Sequence, residues 1–299
     1  MFTQCLHHVR RGLHYFLNNF YTIFKRSTLY VLRYNIFMLS VIIPTMTNNQ
    51  GLFKLISQLK KIKDIEILIV DNKPNDKKRK KLKNFIYLPQ TKNLGFAKAV
   101  NLASKKAKGE WLLILNDDIE QLTEDLINKM LTFAQKNHFD AVCPVLKKKT
   151  GEVENYGYKV LPIGRIQLIT KNQSPITSHQ LDGLTAACLF IKKQVFEKIG
   201  SFDESFFAYL EDVDLFLRLK KKGFIFALNP NVFVIHNHMA TSSKMGFFKE
   251  KQDFVNWIRV IIKNWGLKKI ILHLPGILIE RGRNLSGLIK KIIKVCFYK

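Results

Sequence analysis

Acidic residues are scarce in this chain: 23 aspartates and glutamates stand against 49 lysines and arginines in 299 residues, a net charge of +26. That excess goes beyond what solubility requires and implies an anionic partner, for which nucleic acid, an acidic membrane surface and a phosphorylated substrate all qualify. Cysteine is sparse as well. Cys5, Cys143, Cys188 and Cys296 lie far apart, which excludes a close-spaced structural zinc site or a small disulfide scaffold and makes a reducing compartment the simplest reading. Long apolar runs are missing too, since Ser27 to Ile43 is broken by Arg33 and Asn35, and Ile270 to Ile279 by His273, Pro275 and Gly276. No transmembrane span is expected from such runs. The first turn lacks a charged n-region and no small-residue cleavage site follows an apolar core, which argues against a signal peptide. A cytoplasmic protein, free or peripheral on the cytoplasmic face of a membrane, is the expectation. Helix-turn-helix, zinc-finger and RNA-binding signatures are also lacking, so no specific nucleic acid is expected as a partner.

What is present is a repeating pattern of short apolar strands and amphipathic helices. Leu39 to Ile43 reads as a strand, Leu52, Leu55, Ile56 and Leu59 share one helical face, and Ile65 to Val70 reads as a second strand. After a lysine-rich loop, Lys73 to Lys83, the pattern resumes with a strand at Phe85 to Leu88. A helix with Phe96, Val100, Ala103 and Ala107 on one face leads into the strand Trp111 to Leu115. Strands linked by helices predict a mostly parallel sheet with its ligand beyond the carboxyl ends of the strands. Thr45, Asp71 with Asn72, and Asn116, Asp117 and Asp118 stand at three successive strand ends. Any one of them is an ordinary turn residue. Their convergence on one sheet edge points to a site, and adjacent carboxylates there suit a hard divalent cation that keeps positions open for a diphosphate.

A second concentration of acid lies at Phe202 to Leu215, where Asp203, Glu204, Glu211, Asp212 and Asp214 sit among aromatic and aliphatic residues. Carboxylates in apolar surroundings are costly to desolvate unless they bind a cation, hold a proton or cap a helix. Glu211, Asp212 and Asp214 open an apparent helix through Lys222, where acids favour the positive end of the dipole. Asp214 is assigned mainly to that capping role, with Leu215, Phe216 and Leu219 on the buried face.

Four segments, Ser40-Val41-Ile42-Ile43-Pro44-Thr45, Ile69-Val70-Asp71-Asn72, Asn93-Leu94-Gly95-Phe96-Ala97-Lys98-Ala99-Val100-Asn101 and Leu115-Asn116-Asp117-Asp118, follow one another in the order of the family 2 glycosyltransferases. With Gly200 to Leu215 added, the resemblance runs from Leu39 to about Ser243 and is closest to the rhamnosyltransferase-like branch. It implies an α/β fold of the GT-A type: a Rossmann-like, mostly parallel central sheet flanked by helices, here with basic amphipathic terminal helices. It further implies a metal-dependent inverting transferase of the hexosyltransferase type, taking a single sugar from a nucleoside-diphosphate donor, dTDP-rhamnose or a UDP-sugar, to a cell-surface glycan or lipid-linked acceptor.

Residue by residue, the resemblance places Pro44, Thr45, Asp71, Asn72, Asn93, Gly95, Asn101, Asn116 and Asp117 around the donor, Asp71 accepting a hydrogen bond from the uracil or thymine ring. Asp118 occupies the aspartate position tied to the metal, Mn2+ or Mg2+, while Asp117 stands where many relatives carry proline. Asp212 matches the general base, with Glu211 beside it at the acceptor. His236, after the strand Pro230 to Ile235, matches a metal ligand or diphosphate contact, and Thr241, Ser242 and Ser243 match a hydroxyl-bearing loop that follows. His238 is read as an ordinary polar residue. Ala186-Ala187 replaces the Gly-Ala that relatives commonly carry ahead of an apolar strand.

The expected organisation is an N-terminal basic amphipathic extension over 1–37, a glycosyltransferase domain over 38–245 and a C-terminal basic helical region over 246–299. The domain divides into a nucleotide-sugar half, 38–150, and an acceptor half, 151–245. Leu13, Phe16, Leu17, Phe20 and Phe24 recur at helical spacing in the first flank, as do Leu285, Leu288, Ile289, Ile292 and Cys296 in the last. Basic amphipathic helices of this kind lie on anionic membranes or pack on their own domain. Two competing classes remain. A sugar nucleotidylyltransferase would carry a glycine-rich basic loop after the first strand, which Thr45 to Gln50 is not. A noncatalytic basic module would leave Asp71, Asp118 and Asp212 without a purpose. The Gln-x-x-Arg-Trp motif of processive polysaccharide synthases is absent, which favours transfer of one residue at a time.

Overall fold

The computed structural model describes residues 39–46, 50–73, 85–169, 176–237 and 247–297. The N-terminal amphipathic segment, most of the lysine-rich loop, His238 and the Thr241 to Ser243 loop lie outside the described residues, as does the side chain of Cys296.

The first half alternates strand and helix. Strands β1 (Leu39–Thr45), β2 (Ile65–Asp71), β3 (Ile86–Pro89) and β4 (Trp111–Leu115) are separated by helices α1 (Gln50–Leu59) and α2 (Gly95–Ser104). Their boundaries follow the apolar pattern closely. Leu52, Leu55, Ile56 and Leu59 are all buried against the sheet, each such burial worth about 1.5–3 kcal/mol. β1 pairs in parallel with both β2 and β4, and β2 with β3. This parallel edge has the expected crossover order.

Beyond β4 the sheet becomes mixed. The remaining strands are β5 (Ile119–Glu120), β6 (Ala141–Lys147), β7 (Val153–Asn155), β8 (Tyr158–Leu161), β9 (Arg165–Leu168), β10 (Ile176–Thr177), β11 (Cys188–Lys192) and β12 (Phe226–His236). Helices α3 (Glu124–Lys136), α4 (Lys193–Lys198), α5 (Glu211–Lys221), α6 (Phe248–Asn264) and α7 (Leu267–Phe297) complete the chain. The main path runs β10-β12-β6-β11-β4-β1-β2-β3, with β11 antiparallel to both β4 and β6. β11 carries Cys188 to Ile191 into the centre of the core, where all four are buried.

Three devices shape the start of α5. Tyr209 and Leu210, the two residues before α5, both adopt positive φ, 68° and 66°, a conformation that costs a non-glycine residue of the order of 1–2 kcal/mol. Asn256 of α6, wholly buried, holds them by donating from Nδ2 to the carbonyls of Ala208 at 2.8 Å and Tyr209 at 2.7 Å. Trp257 and Val260 of the same helix pack with Tyr158, Phe206, Leu210 and Val213. The first helix after residue 245 therefore shares a core with the start of α5.

Asn256→Ala should destabilise the protein by about 2–3 kcal/mol, because two buried carbonyls lose their donor. A lower urea midpoint at unchanged slope is the expected result.

Candidate active site

The strand ends bring one group of predicted residues together. Thr45 and Asp71 are register partners on β1 and β2, and both are buried. The Thr45 hydroxyl donates to Asp117 Oδ2 at 2.6 Å, which ties the end of β1 to the turn after β4. Asp71 accepts from the Lys73 amide at 2.9 Å through Oδ1 and from the Tyr87 hydroxyl through Oδ2. Tyr87 carries no motif in the sequence and enters only because β3 lies beside β2. Pro44 completes the apolar end of β1, paired in register with Val70.

A second group builds the turn into α2. The Asn93 side chain accepts from the Gly95 amide at 2.8 Å, and Asn72 accepts from the Leu94 amide at 3.2 Å while donating to the Gly95 carbonyl at 3.3 Å. Gly95 itself has φ +78°, and a Cβ there would lie 2.1 Å from the Phe207 carbonyl oxygen. Only glycine permits this approach. It lets the Phe96 amide donate to that carbonyl at 2.7 Å. Asn101 reaches the same segment, donating to the Phe202 carbonyl at 2.8 Å and accepting from the Phe202 amide at 3.1 Å. Its amide is thus spent on the 202–204 loop.

Asp118 and His236 meet at the sheet centre. β12 brings His236 into register with Ile119, setting its Nε2 3.3 Å from Asp118 Oδ1 and 3.4 Å from Asn116 Nδ2. Its other nitrogen, Nδ1, lies 2.9 Å from Glu154 Oε2. Glu154 was not predicted; it arrives on the short strand β7. Burial opposes a charge on the imidazole, but the hydrogen bonds with Asp118 and Glu154 outweigh it and raise the His236 pKa to about 9. No group of three or more His, Cys, Asp or Glu gathers into a metal cluster among the described residues. A carboxylate and an imidazole oriented by a second carboxylate nevertheless fit an ion that takes its other ligands from phosphate and water. Asp118 and His236 would hold it, and Glu154 would fix the ring.

The last group stands at the start of α5. Asp212 keeps a partly exposed edge and is anchored by two backbone amides, Val213 at 2.8 Å to Oδ1 and Ala186 at 3.3 Å to Oδ2. The departure from the family pattern at Ala186 thus falls beside the carboxylate. Glu211 is buried, and its Oε2 has no hydrogen-bond partner among the described residues. Desolvation raises both carboxyl pKa values, and for Glu211 the charges of Asp212 and Asp253 add to the effect. Asp214 sits in the first turn as expected, but its buried carboxylate accepts from Arg218 and Asn264, each at 2.8 Å. It braces α5 more than it caps it.

With this geometry in place, the comparisons with known proteins fall into line. Residues 40–200 match the model of glycosyl transferase family 2, and the chain belongs to that family. Its relatives include the O-antigen biosynthesis protein RfbC of Myxococcus xanthus, 31% identical over 153 residues that cover 47% of this chain and 12% of RfbC. The chain therefore spans a small part of that relative's length. The N-acetylglucosaminyl-diphospho-decaprenol L-rhamnosyltransferase of Mycobacterium tuberculosis is 24% identical over 60% of this chain and 68% of its own. Among solved structures, the mannosyltransferase PcManGT of Pyrobaculum calidifontis, in complex with GDP-Man and Mn2+, superposes with a TM-score of 0.56 at 14% identity. The superposition covers 87% of each chain, and the fold is of the GT-A type.

Two predictions follow from the charges. The raised Glu211 pKa means that its neutral form is favoured in the fold, so its contribution is intact below the ordinary value of 4.5 and is lost as pH rises through the elevated one. Glu211→Gln should therefore raise the thermal midpoint by roughly 3 °C or more at pH 9 and leave it nearly unchanged at pH 4.5. For His236 the sign is the same: its raised pKa stabilises the fold below about 6.5, and that contribution fades as pH rises through about 9. A bound ion must displace this proton, so Mn2+ affinity measured calorimetrically should increase up to about pH 9 and lose most of that pH dependence in His236→Ala.

Proposed function

We propose that the protein is a metal-dependent inverting glycosyltransferase that moves one sugar from a nucleoside-diphosphate donor to a glycan or lipid-linked acceptor. The observation that carries this reading is Asp212: a largely buried carboxylate with a partly exposed edge at a helix start, fixed by two backbone amides, with its pKa raised by apolar surroundings. Such a group can accept a proton from an acceptor hydroxyl close to neutral pH. In the proposed step the acceptor oxygen bonds to the anomeric carbon and the bond from that carbon to the diphosphate breaks. The bonding pair leaves with the nucleoside diphosphate, and the hydroxyl proton passes to Asp212. Attack from the face opposite the leaving group inverts the anomeric centre.

The divalent cation, Mn2+ or Mg2+, would offset the charge of the leaving diphosphate when held by Asp118 and His236. Thr45, Asp71, Asn72 and Asp117 line the donor side in this reading, Asn93, Gly95 and Asn101 fix the turn beside it, and Glu211, held neutral by burial, supports the acceptor. Residues 38–150 then serve the donor and 151–245 the acceptor. The L-rhamnosyltransferase named among the relatives favours a rhamnose donor, and a dTDP-rhamnosyl transferase of Shigella flexneri is a further relative; dTDP-rhamnose is the donor in this reading, with a UDP-sugar as the other that Asp71 would accept. The free, buried thiols of Cys143 and Cys188 accord with a cytoplasmic setting.

The test is a panel of nucleotide sugars with Mn2+ or Mg2+, scored for nucleoside diphosphate release with and without acceptors. Asp212→Asn should lower transfer by about 10²–10⁴-fold while donor binding persists, whereas Asp118→Ala should weaken metal-dependent donor binding. Full activity in Asp212→Asn would remove the proposed base.

A further inference from the structure

Helices α6 and α7 part to form a cleft of about 450 Å³ that the transfer reaction leaves unused. Arg283, Lys290, Lys291 and Lys294 line it from α7, opposite Glu250 and Asp253 of α6. The acids are outnumbered by the four bases: Glu250 is paired with Lys291, and part-buried Asp253 is the second acid of the lining. Arg283 approaches Glu280 at 3.7 Å with its side chain 71% exposed, and Lys290 and Lys294 stand without an acidic partner among the described residues. The cleft therefore keeps a positive potential.

The same helix carries an exposed apolar ridge. Leu267, Ile271, Leu274, Leu278, Leu285 and Ile289 are all solvent-facing and recur at steps of three, four or seven residues, which sets them on one side of the helix. Leu272 and Ile279, 71% and 61% exposed, extend this arc, on a projection of 3.6 residues per turn, to the border held by Lys290 and Arg283. Aliphatic side chains flanked by bases form the face of a helix that lies in a membrane interface. No helix among the described residues is long and apolar enough to cross a membrane.

The cleft is close to the acceptor side of the site. Phe248 of α6 packs edge-on against Phe207, with ring centroids 5.9 Å apart, Asn256 holds the carbonyls before α5, and the charge of Asp253 acts on Glu211. We propose that the cleft between α6 and α7 binds the diphosphate of a lipid-linked acceptor whose hydrocarbon chain remains in a bilayer on which the apolar ridge rests. This rests on the glycosyltransferase reading and adds where the acceptor's anionic group is held. Neighbouring phosphates take charge-assisted hydrogen bonds from Arg and Lys on successive helical turns. A bilayer covers the aliphatic face and complements the basic border.

The test uses the full chain and the triple variant Arg283→Gln, Lys290→Gln, Lys294→Gln, with equal thermal midpoints confirming that the variant folds. Both are sedimented with phosphatidylcholine vesicles that are plain, or that carry phosphatidylglycerol or a polyprenyl diphosphate at matched charge. The protein should bind the diphosphate vesicles at least about tenfold more strongly than the phosphatidylglycerol vesicles, and the variant should lose that preference. A nucleoside diphosphate with Mn2+ should bind both proteins alike. Equal binding to the two charged vesicles, an unaltered preference in the variant, absence of vesicle binding, or a solution dimer that buries the ridge overturns the proposal. Failure of the unaltered protein to bind any nucleoside diphosphate overturns the underlying transferase reading instead.

Discussion

A chain segment that runs through a protein interior without regular structure must have its carbonyls hydrogen-bonded from elsewhere, since an unpaired buried carbonyl costs about as much as a lost hydrogen bond. Between residues 202 and 210, where the chain dips from the surface at Glu204 and Ser205 to buried Phe206 and Leu210, four carbonyls are met in this way. The carbonyl of Phe202 is met by Asn101, that of Phe207 by the Phe96 amide, and those of Ala208 and Tyr209 by Asn256. The donors come from α2 on the parallel half and from α6 on the far side. A single irregular segment is clamped between the two halves of the site, and its last two residues are held in left-handed backbone. That conformation sets the direction in which α5 begins and hence where Asp212 stands.

The two ends of the site are consequently built on different principles. At the strand ends, position is fixed by the ladder: Thr45 and Asp71 are register partners, and a slip of one residue would turn both side chains to the opposite face. At Asp212, position is fixed by loop closure and by amides from Val213 and Ala186. Gly95 joins the two, because the contact between α2 and the Phe207 carbonyl leaves no room for a Cβ. A small displacement of the clamp would thus move Asp212 relative to the strand ends while leaving the ladder intact.

These principles explain what could be read from the sequence. Strands β1 to β4 and helix α1 were legible because apolar periodicity and burial are local properties, and the polar residues at their carboxyl ends follow from strand length alone. Glu154 was not, for it lies on a three-residue strand without periodicity and meets His236 across 82 positions. Tyr87 and Asn256 escaped for the same reason, since their roles arise only when β3 pairs with β2 and α6 packs beside α5. Asp214 shows the reverse case: its place in the first helical turn is a local signal, yet its partners Arg218 and Asn264 give the carboxylate a bracing role that position alone does not disclose. The order of the strands beyond β4 depends on contacts that an apolar run does not encode, since β11 inserts antiparallel between β4 and β6.

The charge imbalance takes on a more definite meaning in this setting. At the start of α5 desolvation acts on two of the acids: Glu211 and Asp212 share an apolar pocket in which both carboxyls are pushed toward the neutral form. Two carboxyls this close give up their protons in two separate steps, so the pocket resists carrying two charges at once. One ionised carboxylate is what a base requires, and a second would repel an anionic acceptor. The bases, by contrast, lie on exposed surface and along α7, where solvent shields them at little cost. A net positive exterior around a site with restrained negative charge draws anionic ligands toward the protein without leaving a cation beside the base, which would lower its pKa and weaken it.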